Sequence, residues 1–232
     1  MLSPRERAYR ALMALLRGGE PLRLGRLQEL SGLEREALLS YLSAPSFSIS
    51  GDEVLIADKA SLALEMARHG IHVEDILLSL GWRDVEEFCA AVLTKLGFRA
   101  LRNLRFRHSS ERYEVDVVAY RHPFLLSIDC KRVRRASEHL LRAAAARQLE
   151  RTTALSFELW RCCSGLELAR ARMLLIPAVV TVASTGVGIR VYGGVPVVPA
   201  GLLDTFVSRL GELAAGGVRA VEVAPPRGLR AR

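Results

Sequence analysis

Two carboxylates and one ammonium occupy strand positions from which they can meet. Arg112 to Tyr120 and Phe124 to Lys131 both read as strands, with Arg121-His122-Pro123 as a short turn between them. Strand side chains alternate faces with period two, so Asp129 and Lys131 project from the same face of one strand. The short turn makes the strand before it an antiparallel neighbour, and that strand carries Asp116. An acidic residue inside an otherwise apolar strand is expensive to bury unless it is paired or binds a metal. Two such residues beside a lysine therefore call for a chemical reason.

Composition singles out the same lysine independently. Of 33 basic residues only Lys59, Lys95 and Lys131 are lysines, and the side-chain amides are confined to Gln28, Asn103 and Gln148. A chain that writes Arg almost everywhere keeps Lys or Gln where Arg or Glu will not serve, which marks Lys131 and Gln148. The scarcity of Asn and Gln suits a thermophile, and high-GC coding would give the same arginine bias.

Asp116, the hairpin, and Asp129-Cys130-Lys131 resemble the PD-(D/E)xK nuclease superfamily, in its RecB-like and archaeal Holliday-junction-resolvase-like branches. Phe98-Arg99-Ala100 after Leu96-Gly97 resembles the entry from helix to strand in that fold. Glu86 or Glu87 stands where the family has an acidic residue on the preceding helix, and spacing to Gly97 favours Glu86. Gln148 stands where many members carry glutamine on the helix after the lysine. The resemblance covers about residues 84–208 and departs from the family in lacking a proline before Asp116. It implies a restriction-endonuclease-like α/β core, a mixed central sheet flanked by helices, and a Mg²⁺-dependent (or Mn²⁺-dependent) endonuclease. Asp116, Asp129 and the backbone carbonyl of Cys130 would be metal ligands, since Mg²⁺ takes hard oxygen donors. Lys131 would orient or polarise the attacking water, Glu86 would hold a second metal or a metal-bound water, and Gln148 would contact a phosphate or position Lys131. Arg132, Arg134 and Arg135, directly after the lysine, would grip the nucleic-acid backbone.

The elements that must position these residues divide in two. Residues 5–17, Leu24 to Leu30 and Leu33 to Leu42 have helical apolar spacing, and Phe47 to Ile56 alternates around Gly51-Asp52 as a β-hairpin does. Three helices and a hairpin resemble a winged-helix domain, placed at residues 1–80, with the nuclease-like domain at 81–232. Helices follow at Lys59 to Arg68, after Gly70, and from an N-cap at Asp84 to Leu96. Glu138 to about Leu159 is a long helix, Leu174 to Ala183 and Gly188 to Val198 are strands, Leu202 to Ala214 is a closing helix, and the chain from Pro225 reads as loose.

Charge divides unevenly, at −2 over residues 1–80 and +10 over the remainder. Phosphate neutralisation dominates nucleic-acid affinity, so the second domain is the expected contact. Glu34-Arg35-Glu36 at the head of the third helix is acidic for a major-groove reader, which leaves DNA contact, dimerisation and partner binding open for the first domain. The longest apolar run, Met173 to Ala183, is broken by Pro177 and Thr181 and is too short for a membrane span. The N-terminus has no signal-peptide layout, so the expected compartment is the cytoplasm. Cys89, Cys130, Cys162 and Cys163 form no CxxC pair and read as buried thiols. Asp129–Lys131 as a surface ion pair on an edge strand, Glu114 as an outer-face residue, and Ser109 and Ser110 as loop or phosphate-binding residues are the competing local readings. The expected function is DNA phosphodiester hydrolysis in repair, recombination or defence, with a homodimer by analogy. The alternative is a non-catalytic winged-helix nucleic-acid-binding or assembly protein with a degenerate nuclease fold.

Overall fold

The computed structural model describes residues 2–42, 45–133, 137–168, 171–182 and 188–225. They form two compact units, Met1–Phe88 and Cys89–Arg232.

In the first unit, α1 (Pro4–Gly18), α2 (Leu24–Ser31) and α3 (Arg35–Tyr41) precede the hairpin β1 (Phe47–Ser50) and β2 (Glu53–Ile56). Ser3 caps α1, accepting from the Glu6 N–H, and Gly19 ends it in the left-handed conformation that glycine adopts without strain. The apolar stripe Ala8, Leu12, Leu15 is buried together with Tyr9. Arg23 adds a bridge to Glu53, so the hairpin gains a short third partner. Then come α4 (Lys59–Arg68) and α5 (Val73–Ser79). The next helix, α6 (Trp82–Lys95), crosses the unit boundary. Asp84 is not its N-cap: it sits inside the first turn, and its carboxylate accepts from the Gly81 N–H at 2.6 Å and pairs with Lys59 at 3.0 Å. A carboxylate at the third helical position bonding back to the cap N–H is one half of a capping box.

The second unit is a mixed α/β fold, a central mixed sheet with helices. Its strands are β3 (Arg99–His108), β4 (Glu111–Arg121), β5 (Phe124–Lys131), β6 (Met173–Thr181), β7 (Arg190–Tyr192), β8 (Val195–Pro199) and β9 (Val221–Val223). Among the described residues the sheet order is β3-β4-β5-β6-β8-β7, and β9 also pairs with β6. β3, β4 and β5 form an antiparallel meander, whereas β5, β6 and β8 run parallel. The parallel β5–β6 pair needs a crossover, and α7 (Glu138–Cys162) supplies it. Leu155, Leu159 and Ala154 of α7 pack on Val115, Val118, Leu125 and Leu175. Leu141, Ala144 and Ala145 pack on Val179, Val195 and Val197.

Three expected elements differ. Gly188 to Val198 is not one strand: Gly193 and Gly194, with φ of 58° and 85°, turn the chain between β7 and β8. Paired left-handed glycines make the tight turn that hairpins prefer. The closing helix is broken at Arg209 into α8 (Leu203–Ser208) and α9 (Leu210–Ala215). The third difference is an addition: β9, where the sequence pattern predicts no element, pairs antiparallel with the start of β6. No helix among the described residues is long and apolar enough to cross a membrane.

Candidate functional site

The site forms where β4 and β5 begin to part. Their ladder runs from Arg121↔Phe124 to Val117↔Ile128. One step further, the Asp116 carboxylate accepts the Cys130 N–H at 2.7 Å. A side-chain oxygen thus takes over where a main-chain acceptor would stand, and it fixes Asp116 against the Asp129–Lys131 segment. On its other side Asp116 faces an interruption of the β3–β4 ladder, which skips from Arg102↔Val117 to Leu104↔Val115. Asn103, the lone asparagine, lies in that gap with φ 53°, a region Asn tolerates better than most residues. Both strands change register with the core there, because Leu101 and Val118 on one side of the gap and Leu104 and Val115 on the other all pack against the same cluster.

Asp129 is the centre of the charge network. β5 is an internal strand between β4 and β6, and the Asp129 side chain is 3% exposed. The edge-strand surface pair is therefore excluded. Lys131 Nζ lies 2.9 Å from Oδ1 and 2.8 Å from Oδ2. Arg151 of α7 donates to Oδ1 at 2.6 Å. Two cations on one buried carboxylate compensate its desolvation, which an unpaired charge could not survive. Burial raises the pKa of Asp116, and the nearby Asp129 charge adds to this. The Cys130 N–H, Lys131 and Arg151 pull the other way.

The helix is fixed to the strand by its amide. Gln148 is fully buried, and its Nε2 donates to the Ser127 carbonyl at 2.8 Å and to Ser127 Oγ at 2.9 Å. Ser127 shares the face of Asp129 and Lys131 by strand parity. The Gln148 side chain reaches no solvent in this structure. Its hydrogen bonds set the height of α7 on β5, and Arg151, one turn along the same helix, then falls on Asp129.

Cys130 points to the opposite face, where its Sγ lies 3.7 Å from Cys89 of α6. That contact, then burial, pushes the Cys130 thiol well up, so it stays protonated and inert at neutral pH. Glu86, three residues before Cys89 on α6, is 2% exposed and belongs to the first unit. Glu114 pairs with Arg105 at 3.1 Å on the outer surface. Ser109 and Ser110 form the exposed turn between β3 and β4. Arg132 is exposed, and Arg134 and Arg135 lie outside the described residues.

The structure thus brings Asp116, Asp129 and Lys131 together, with Gln148 in support. It adds Arg151 and Ser127, which sequence reasoning missed. Ser127 carried a signal, a polar residue in an apolar strand at the parity of Asp129. Arg151 carried almost none, since arginine is everywhere in this chain, although its place three residues after Gln148 put it on the same helical face. Among the described residues no three His, Cys, Asp or Glu side chains converge on a common point that could hold a metal.

No protein-family model matches the chain, and no curated protein matches it. Among solved structures, AF1548, a protein of unknown function, is similar at 18% identity and a TM-score of 0.30 over 43% of this chain and 46% of that one. The protein VC1899 from Vibrio cholerae is similar at 15% identity and a TM-score of 0.36 over 92% of this chain and 56% of that one. The chain spans about half the length of each. Likeness this distant carries no argument about function.

Proposed function

We propose that the protein is a metal-dependent nuclease of PD-(D/E)xK type that hydrolyses DNA phosphodiester bonds, with a restriction-endonuclease-like second unit and a winged-helix-like first unit. The convergence of Asp116, Asp129 and Lys131 at the parting of two central strands carries this reading. The succession of α6, the β3–β4–β5 meander, α7 and β6 supports it at the level of fold, and the three helices, hairpin and Arg23–Glu53 bridge support the winged-helix reading.

The donor set fits a hard divalent cation. Burial and, to a lesser degree, the Asp129 charge raise the pKa of Asp116, and a cation would offset both. Asp116, Asp129 and the Cys130 carbonyl would hold Mg²⁺ or Mn²⁺, the remaining positions going to water and substrate phosphate. The chemistry supplied by the bound ion is a lowered pKa for its water and neutralisation of charge on the phosphate in flight. Lys131 and Arg151 now neutralise Asp129. An incoming phosphate offers both cations a new anion, so their transfer to it frees the Asp129 oxygens. Lys131, 30% exposed, then stands beside the attacked phosphate, where a compact ammonium orients water and stabilises negative charge. Gln148 and Ser127 hold the helix that carries Arg151. Arg132, Arg134 and Arg135 remain the candidates for backbone contact.

A second reading has one observation in its favour. The two cations that pair with Asp129 also suit a purely structural ion cluster in a non-catalytic nucleic-acid-binding or assembly protein. Purified protein incubated with single-stranded, duplex and branched DNA in Mg²⁺, Mn²⁺ or EDTA separates the two. The nuclease reading expects cleavage of at least one substrate with metal and none with EDTA. Binding without cleavage under every condition would favour the structural cluster.

A further inference from the structure

The four cysteines stand as two close pairs, and the pairs differ in what they can become. All four are free thiols in this structure. Cys130 of β5 and Cys89 of α6 have their Sγ atoms 3.7 Å apart, although they are 41 positions apart in the chain. Cys162 and Cys163, neighbours at the end of α7, have theirs 3.8 Å apart. A disulfide needs Cα atoms roughly 4.4–6.8 Å apart. Consecutive Cα atoms across a trans peptide are held at about 3.80 Å, so the neighbouring pair cannot join without distorting its backbone. No such bar applies to Cys89 and Cys130, which come from two different elements with their sulfurs already in contact. Closing that gap to a bond of about 2.05 Å takes about 1.7 Å of movement shared between two side chains.

The pair sits behind the charged site and not in it. Strand alternation turns the Cys130 side chain away from Asp129 and Lys131. Its N–H holds the Asp116 carboxylate at 2.7 Å. A bond to Cys89 would tie α6 to the residue whose backbone positions Asp116. It would also close a loop that contains all of β3 and β4. A cross-link over a loop of that length removes much of the freedom of the unfolded chain. The scarcity of Asn and Gln suits a thermophile, and intracellular proteins of hyperthermophiles are the exception that carries structural disulfides.

We propose that Cys89 and Cys130 are an oxidative modification site, joined by a disulfide that staples α6 to β5 behind Asp116 and Asp129. The oxidant is a peroxide. Cys130, half-buried, is the member that hydrogen peroxide can reach. Its sulfur takes one peroxide oxygen as the O–O bond breaks, giving a sulfenic acid and one water. The Cys89 sulfur then attacks the sulfenic sulfur, the S–O bond breaks, and the leaving hydroxide takes the Cys89 thiol proton as a second water. Two thiols and one peroxide thus give one disulfide and two waters, with two electrons passing to the peroxide. Cys89 is fully buried and the Cys130 thiol is protonated, so both formation and reduction by thiols in solution are slow. That suits a lasting staple and not a rapid sensor.

Full-length protein purified without thiol reductant is treated with hydrogen peroxide, denatured, alkylated with iodoacetamide and digested with trypsin. Cleavage after Arg83, Lys95, Arg121, Lys131 and Arg161 puts Cys89, Cys130 and the Cys162–Cys163 pair on three separate peptides. Mass spectrometry without reduction is expected to find the Cys89 and Cys130 peptides joined, and Cys162 and Cys163 both alkylated. The Tm of the oxidised protein is expected to lie on the order of 10 °C above that of the reduced protein. Cys89→Ser is expected to lose both the joined peptide and the dependence of Tm on oxidation. Alkylation of both Cys89 and Cys130 after peroxide, oxidation of Cys130 to the sulfinic acid without a cross-link, or a joined peptide with no rise in Tm would overturn the staple. The wild-type peptide map and Tm decide the matter even where Cys89→Ser fails to fold.

Discussion

Charges in the first unit and charges at the sheet of the second are paired by the same chemistry to different effect. Arg10 and Glu6 meet at 3.1 Å on the outside of α1, with Arg10 46% exposed. Lys131, Arg151 and Asp129 meet at similar distances, but Asp129 is 3% exposed. Water screens the first pair and competes for both partners, so it contributes little. The second cluster has given up its hydration, so each partner now depends on the others. A strand interior that gathers two acids and two cations carries a cost in stability that a helix surface avoids, and function is the usual reason to retain such a cost.

The contrast can be broken most sharply at Lys131. Lys131→Arg keeps the charge but replaces a compact ammonium by a wide planar fork. Misplacement by about 1 Å can cost on the order of 100-fold in rate, so single-turnover cleavage should fall by about that much. Lys59→Arg and Lys95→Arg should cut normally. Near-normal cleavage by Lys131→Arg would mean that charge alone matters there.

Arg151→Ala comes next. It leaves Asp129 with Lys131 as its sole cation and removes a charge-assisted bond of 2.6 Å. Chemical denaturation should show a loss of about 1–3 kcal/mol. A loss below about 0.5 kcal/mol, the range of ordinary surface changes, would show that Arg151 is no part of the buried cluster.

Asp116→Asn should act in the opposite direction on stability. Burial and Asp129 hold the Asp116 pKa above its ordinary value, so the fold favours the protonated acid. Its contribution is fully present below the unfolded pKa and is lost as pH rises through the folded one. At neutral pH the ionised carboxylate therefore strains the metal-free protein, and the neutral amide should raise Tm. That gain should shrink as the pH is lowered through the carboxylate range. A lower Tm at pH 7 would contradict this assignment.

The smallest effect belongs to the surface. Arg10→Ala should change stability by about 0.3–0.5 kcal/mol, as exposed pairs one helical turn apart do. A loss comparable to that of Arg151→Ala would erase the distinction between the two regions.

What was legible in the sequence follows from range. Helices α1 to α4 and the β1–β2 hairpin rest on local spacing, caps and a Gly-Asp turn, and they lie where periodicity puts them. The β4–β5 hairpin and the parity of Asp129 and Lys131 were legible for the same reason. Contacts made across the sheet were not. Arg151 reaches Asp129 over 22 positions, and β9 joins β6 from far along the chain, with only the fold to bring them together. Gly193-Gly194 was a local signal that went unread within a run of valines. Asn103 was noted for its rarity, whereas its left-handed turn opposite Asp116 emerges only from the pairing of β3 with β4.

The most direct test of the central claim compares cleavage by wild type, Asp116→Asn and Lys131→Ala in Mg²⁺, with circular dichroism and DNA binding measured on the same samples. Both substitutions are expected to abolish cleavage while the protein stays folded and still binds DNA. Wild-type cleavage by either folded variant would show that hydrolysis takes place elsewhere in the molecule.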